Sequence, residues 1–419
     1  MLDPVTIRTQ FAALGRTYMG QPIIYFDGPG GTQVPRSCSD AIVDYLSTRN
    51  ANHGGVFVTS VESDRMVEEA HETMADFLNA RRAEEIVFGA NMTSLTFALS
   101  RSIGATLKAG DEVIVTRLDH DANYSPWLLM ARDHGLSVRV VDIREEDCTL
   151  DLQSFERCLT SRTRLVAVGY ASNAVGTINP VEQIIRMAHS AGALTFIDAV
   201  HFAPHGPIDV RQLDCDFLVC SPYKFFAPHL GVLYGRYELL ESLPAYKVRP
   251  AGHLPPDKFE TGTQNHEALA GLLGTVEYLL SLAELQTSNP PSEHRSARSA
   301  RLWHAMRAIE GYESSLKAHM LEGLLSLRGI RLYGLADPAR LVERVPTFAI
   351  RVEGRHPLDV ARLLAERSIC VWDGNYYAIN LTERLGLEDT GGMVRIGLVH
   401  YNTHEEIDRF LKVLSSITC

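Results

Sequence analysis

The chain has 419 residues, of which 45% are hydrophobic and 22% charged, and a formal net charge of −11. That length exceeds what one hydrophobic core usually organises, so two domains are expected, and the acidic balance argues against nucleic acid as a partner. The seven cysteines (Cys38, Cys148, Cys158, Cys215, Cys220, Cys370 and Cys419) lack CxxC spacing, which points to reduced thiols and away from a disulfide framework or a zinc site.

The opening stretch "MLDPVTIRTQFAALG" lacks the continuous apolar core of a signal peptide. No apolar run approaches the roughly eighteen residues of a membrane span. A cytoplasmic enzyme without membrane association is the expectation. The glycine-rich "GPGGTQ" at 28–33 has the wrong spacing and position for a dinucleotide-binding turn and reads as a flexible loop on the substrate side.

From about residue 85 to 235, short apolar runs alternate with amphipathic stretches. "EEIVFGA" precedes "NMTSLTFALSRSI", and "DEVIVTRLDHD" precedes "SPWLLMARDHG". "LSVRVVDI", "RLVAVGYASN", "ALTFIDAVH" and "CDFLVCS" follow, with "VEQIIRMAHSAG" between the second and third of these. Strands separated by helical patterns imply βαβ units, hence an α/β domain with a mostly parallel sheet sandwiched by helices. Asn-Pro-Pro in "LQTSNPPSEHRS" (285–296) stops any helix. The helical pattern of 297–327 is expected to be interrupted near Gly311. "VPTFAIRV", "HPLDVARLLAERS", "VRIGLV" and "THEEIDRFLKVLSSI" then give a smaller α+β unit. The expected division is an N-terminal segment, 1–24, packing on the small domain, a large domain, 25–290, and a small C-terminal domain, 291–419.

In such sheets ligands collect at the carboxyl ends of the strands. The first end, "FGANMTS", carries Met92, Thr93 and Ser94 where a helix opens, a place for an anion such as phosphate or for an ordinary cap. The second, "LDHDANYSPW", clusters His120, Asp121 and Asn123. The third, "YASNAVGT", leaves Asn173 after an apolar strand; these residue types also serve turns. The fourth, "TFIDAVH", sets Asp198 at the mouth of the sheet with His201 three residues on. The fifth, "VCSPYK", brings Ser221 and Lys224, a lysine between two runs that both read as core strands, where lysine is rarely buried without a partner.

A phosphate cradle, a neutral amide, a carboxylate, an imidazole and an amine together match pyridoxal 5′-phosphate (PLP). Lysine forms its Schiff base, aspartate keeps the pyridine nitrogen protonated and the hydroxyl-rich turn holds its phosphate. An ion pair of this kind contributes on the order of 5 kcal/mol at about 3 Å and an effective dielectric of about 20. The protonated ring is the electron sink that stabilises a carbanion at Cα.

Over nearly its whole length, from "YFDGPGGTQVP" at 25–35 to "YNTHEEIDRF" at 401–410, the chain resembles the class V aminotransferase family of fold-type I PLP enzymes, in its cysteine desulfurase and selenocysteine lyase-like branch. The resemblance implies that Thr93, Ser94 and Ser221 hold the phosphate, Lys224 carries the cofactor and Asp198 pairs with the pyridinium. Asn173 would face the phenolic oxygen and the substrate carboxylate, and His201 stands where the family usually has Gln beside that oxygen. Arg395 in "VRIGLVHYNT" would grip the substrate carboxylate bidentately. Thr263 in "FETGTQN" would reach the neighbouring subunit's phosphate, with His53 near the shared site, implying a homodimer.

Three departures surround the reacting centre. The family's persulfide-forming cysteine lies in an R-x-G-x-x-C loop, but the matching "WDGNYYA" has Trp372 at the Arg position and Tyr377 at the Cys position, with Cys370 upstream and expected to pack. The ring-stacking His falls, in the register of Ala122-Asn123, on Asp121; either the turn shifts to bring His120 over the ring or the stack is replaced. Tyr223 replaces the usual His before the lysine, changing one phosphate contact. The expected activity is therefore a PLP-dependent lyase or transferase on a small amino acid, with Cβ–X cleavage without a persulfide cysteine foremost and epimerisation, aminotransfer or carbon–carbon bond formation as alternatives. A non-catalytic scaffold would need none of Lys224, Asp198, Asn173 and Arg395. Trp372, Asn375, Tyr376 and Tyr377 set the specificity; the sequence names neither the substrate nor a carrier protein.

Overall fold

Short continuous apolar runs dictate a sheet buried on both faces, because successive side chains point to opposite sides. In the computed structural model, which describes residues 2–283 and 293–418, these runs form strands β1 (Ile86–Gly89), β2 (Glu112–Thr116), β3 (Ser137–Val141), β4 (Thr163–Gly169), β5 (Leu194–Asp198), β6 (Phe217–Cys220) and β7 (Gly231–Gly235). Their spatial order is β1-β7-β6-β5-β4-β2-β3. β7 runs antiparallel to both neighbours, and the remaining pairings are parallel.

One face carries Val87, Val113, Val115, Leu165, Ala167, Phe196, Phe217, Val219 and Leu233, packed against Leu99 and Ile103 of helix Met92–Gly104 and Trp127 of helix Ser125–His134. The other carries Ile86, Phe88, Ile114, Val166, Val168, Ile197 and Leu218 against helices Val58–Leu78 and Val181–Ser190. The result is the expected helix–sheet–helix sandwich of an α/β fold.

A second, antiparallel sheet follows: β8 (Ile330–Tyr333), β9 (Thr347–Val352), β10 (Trp372–Gly374) and β11 (Met393–Gly397), in the order β8-β9-β11-β10. The 30-residue helix Ala297–Ser326 precedes it and runs unbroken through Gly311. The expected interruption does not occur, because a single glycine costs a helix only about 1 kcal/mol and this one has open space around it. Residues 285–292 of the Pro-rich stretch, and with them the expected boundary at 290/291, lie outside the described residues.

Near the N-terminus, Ile24 and Tyr25 pair in parallel with Ile369 and Cys370. The Phe11 ring meets Tyr278 and Tyr401, both at 5.2 Å, so this segment touches the helix over the large sheet as well as the C-terminal unit. The glycine-rich stretch Gly28–Gly30 is a single 3-10 turn with Gly28 and Pro29 buried, locked between Gly397 and the turn after β6. It is not a free loop, because Asp27 bridges to β11 and the Thr32 N–H donates to the Tyr223 carbonyl at 3.1 Å.

The start of β7 presses on the start of helix Met92–Gly104: a Cβ on Gly231 would lie 2.3 Å from the Asn91 carbonyl carbon and 2.6 Å from the Met92 nitrogen. Gly231→Ala must push that helix start away from the sheet. It is expected to destabilise the protein by about 1–3 kcal/mol in denaturant unfolding and to weaken PLP binding in equilibrium titration. Unchanged affinity would separate the helix start from cofactor binding.

Candidate active site

The strand-end residues converge on one cavity of about 620 Å³ at the carboxyl edge of the large sheet, closed from above by the loop after β10. Lys224 reaches it because Ser221-Pro222 ends β6 and a 3-10 turn, Pro222–Lys224, follows at once. The next residue but one, Phe226, adopts φ +73° although it is bulky and fully buried, a costly conformation held by Thr32 and Thr275 bonded to its N–H and carbonyl at 2.8 and 3.1 Å. The Lys224 amine donates to the Pro29 carbonyl and lies 4.7 Å from the Tyr223 ring centre. Burial, with the Arg395 cation adding to it against Asp198 and Asp27, lowers its pKa to about 7.

Asp198, the last residue of β5, lines the same cavity, accepts from the Val200 N–H at 2.9 Å and is pushed up to about 6 by burial. Arg395 on β11 is held beneath the Tyr376 ring, 4.4 Å from its centre, and donates to the Asn173 carbonyl at 3.0 Å. The Asn173 amide donates to the Tyr376 carbonyl at 2.9 Å. Two polar atoms in this cluster, Asn173 Oδ1 and Arg395 Nε, are buried without a partner, an arrangement that calls for a polar ligand.

His120 and Asp121 part company. The His120 ring lines the cavity, accepts the Ala122 N–H on Nδ1 at 3.0 Å and so carries its proton on Nε2; burial, reinforced by Lys224 and Arg395, lowers its pKa to about 4 and keeps it neutral. Asp121 is not among the cavity-lining residues. Its carboxylate accepts the Ser125 hydroxyl at 2.9 Å, and its N–H donates to the Tyr377 carbonyl at 2.7 Å. The register that set Asp121 over the ring is therefore corrected: the 3-10 turn Asp121–Asn123 has His120 as its cap, which aims the imidazole inward and the next side chain outward.

Met92 and Thr93 line the cavity, but Ser94 does not: it is exposed, with its hydroxyl on Asn91 Oδ1 at 3.0 Å. The Asn91 side chain also caps the Ser94 N–H, leaving the helix's first N–H groups toward the cavity. Ser221, Tyr223, His201, Trp372 and Tyr377 complete the wall. Tyr376 and Tyr377 have φ +57° and +60°, two successive non-glycine residues in the left-handed region, and the Tyr377 ring stands 5.5 Å from that of His120. Thr263 and His53 lie away from this cavity, both exposed; His53 lines a separate cleft of about 1120 Å³ with Gly262, Gln264 and His266.

Sequence reading passed over Asp119, Asn179 and the Pro29 carbonyl. Asp119 lines the cavity beneath Thr116 and Asn123, bonded at 2.5 and 3.0 Å, and burial pushes it up to about 7. Its position just past β2 was the available signal. None of the six described cysteines lines the cavity. Cys370 pairs with Tyr25 in a strand, and burial raises its thiol to about 11.

Comparison with known proteins agrees with this geometry. The model of the family "Aminotransferase class-V" matches residues 24–302 and 303–410. The chain belongs to that family. It is 34% identical to a probable cysteine desulfurase of Synechocystis sp., over 98% of this chain and 94% of the relative, and 33% identical to a cysteine desulfurase of Pectobacterium atrosepticum, over 98% and 97%. Among solved structures it is similar to the apo cysteine desulfurase of Thermococcus onnurineus NA1, with a TM-score of 0.87 and 28% identity over 100% of this chain and 98% of that one. The cysteine desulfurase CsdA of Escherichia coli, with an S-sulfonic acid, gives a TM-score of 0.82 and 26% identity over 99% and 98%. This class-V protein is a PLP-dependent enzyme. Its unpaired Asn173 and Arg395 atoms, buried carboxyl and low-pKa amine fit the cofactor.

Because an amine must be unprotonated to attack an aldehyde, borohydride-trapped uptake of PLP, corrected by a small-amine control at each pH, is expected to fall about tenfold from pH 8 to pH 6. Arg395 disfavours the charged lysine, so Arg395→Gln is expected to move the midpoint to higher pH; an unmoved midpoint would overturn that electrostatic assignment. Lys224→Ala is expected to leave no reducible link.

Proposed function

We propose that this enzyme cleaves a Cβ–heteroatom bond of a small amino acid by β-elimination and releases the heteroatom directly, with no cysteine as acceptor. The reading is supported by the loop Trp372–Ala378, where the family resemblance sets Tyr377 at the position of the persulfide-forming cysteine, and by the described thiols, none of which lines the cavity. A phenol can move a proton but cannot accept sulfur as persulfide.

When bound, PLP would supply a protonated pyridine ring, the electron sink for a carbanion at Cα of the substrate. Asp198 would hold that ring nitrogen protonated, His120 would lie against the ring, and Met92, Thr93 and Ser221 would hold the phosphate. Arg395, with Nε free, and Asn173 orient the substrate carboxylate. The Lys224 amine, its pKa lowered to about 7, takes the Cα proton. The Cβ–X bond breaks with its electrons on X, and the Tyr377 hydroxyl, on a 69% exposed side chain at the cavity mouth, delivers a proton to X. Water then completes the balance: X–CH2–CH(NH3+)–COO− and H2O give pyruvate, ammonium and HX. The mobile surroundings of a persulfide are unnecessary for this route, and the locked Tyr376–Tyr377 backbone is compatible with it.

We further infer a cytoplasmic homodimer. His53 and the 261–264 segment border the same cleft, which supports their service to a neighbouring subunit. A carrier protein is not required when the heteroatom leaves as a small molecule.

The test is incubation of the PLP-loaded protein with cysteine, selenocysteine and β-substituted alanines, with products read by mass spectrometry. Pyruvate and HX in equal amounts are expected. Alanine, or Cα–deuterium exchange without elimination, would replace the reading with desulfuration or epimerisation. Tyr377→Phe is expected to lower kcat about 100-fold with PLP content unchanged, and Cys370→Ser to leave kcat within about twofold. Loss of turnover in Cys370→Ser with normal PLP content would restore a thiol mechanism.

A further inference from the structure

His201 is 4% exposed, and burial, with His205, Arg395, Lys224 and His120 as its charged or titratable neighbours, holds its pKa well below the ordinary range. A neutral imidazole carries one proton, on one of two nitrogens, and this decides whether the nitrogen toward the cavity donates or accepts. Nε2 is committed to Thr347 Oγ1 at 2.9 Å, which leaves Nδ1 as the nitrogen available to the cavity.

Thr347 begins β9, comes from the antiparallel sheet and is fully buried. Its hydroxyl has His201 as partner, and a fully buried O–H without an acceptor is costly. Were His201 to donate from Nε2, the hydroxyl proton would be stranded. If the hydroxyl donates instead, both groups are satisfied. The threonine's backbone is fixed in place: its carbonyl accepts from Arg344 at 2.5 Å, its N–H donates to the Val345 carbonyl at 2.8 Å, and Gly176 lies so close that a Cβ there would meet the Thr347 carbonyl oxygen at 2.4 Å. His205, whose ring stands 5.5 Å from that of His201 and is tied to Glu313 at 2.8 Å, restrains the imidazole plane from the other side.

We propose that Thr347 is a positioning residue that donates to His201 Nε2 and fixes the imidazole as an Nδ1–H donor facing the cavity, so that the histidine performs the donor role the family gives to a Gln amide. The effect on the cofactor rests on the reading that His201 adjoins the phenolic oxygen; the tautomer assignment does not. A donor at that oxygen favours its ionised form, whereas the other tautomer would turn a lone pair toward it.

Nitrogen-15 NMR of histidine-labelled protein without cofactor tests the assignment, with His201→Gln identifying the signal by difference. The expected spectrum has protonated Nδ1 and unprotonated Nε2 in the wild type and in Thr347→Ser, and loss of that preference in Thr347→Val. A wild-type Nε2–H tautomer, or an even mixture, would overturn the proposal, and this holds whether or not Thr347→Val folds. In the PLP-loaded protein, Thr347→Val is expected to raise the pKa read from the cofactor's absorption by about one unit, and Thr347→Ser to leave it in place. If the tautomer changes as expected while the absorption pKa does not move, the tautomer assignment stands and the placement of His201 at the phenolic oxygen is overturned.

Discussion

Everything at the site depends on burying one lysine amine between strands that are otherwise solid hydrocarbon. β6 and β7, whose Leu218, Cys220, Val232 and Tyr234 pack into one core and whose Phe217, Val219 and Leu233 pack into the other, anchor the turn between them that carries Lys224 into the cavity. Burial alone would disfavour the cation; the nearby guanidinium of Arg395 pushes the same way, and the carboxylates of Asp198 and Asp27 oppose it. The balance is an amine near pH 7 that is ready to react with an aldehyde. The backbone just beyond it, at Phe226, is held against its own preference by two threonine side chains. Strain tolerated at such a place is typical of positions whose geometry serves a purpose.

The second organising fact is that the cavity belongs to neither sheet alone. Arg395 and Trp372 come from the antiparallel sheet, Lys224, Asp198 and Asn173 from the edge of the parallel one, and each crossing is made by a specific bond. Asn173 is tied to the Tyr376 carbonyl, Asp121 to the Tyr377 carbonyl and His201 to Thr347. These bonds fix the two tyrosines in left-handed backbone and set their rings against Arg395 and His120.

The strands were legible because a short apolar run bounded by turn residues is a local property, and the runs ending at Gly89, Asp198 and Cys220 carry it plainly. Lys224, Asp198 and Asn173 were legible for a related reason, since a polar residue soon after a core strand stands near the mouth of the sheet, whereas Arg395 lies inside β11 and was reached through the family resemblance alone. Where reading failed, it failed on register and on contact. Asp121 and His120 differ by one position, and only the turn's hydrogen bonds say which faces inward. Ser94 has the right chemistry and the wrong direction, because Asn91 captures its hydroxyl. Asp119 looks like one more turn carboxylate until its burial beneath Asn123 and Thr116 is seen. The break expected at Gly311 treated a modest local preference as decisive, and packing along a 30-residue helix overrode it.

The sequence by itself determined the alternation of strands and helices and the amine and carboxylate at neighbouring strand ends, since each is written in adjacent residues. Tertiary structure alone decided which imidazole faces the cavity, which hydroxyls are spent elsewhere and what lies against His201. Those depend on atoms from segments such as Thr347 and His201, 146 residues apart, whose meeting is set by the packing of two sheets and is recorded in no local pattern.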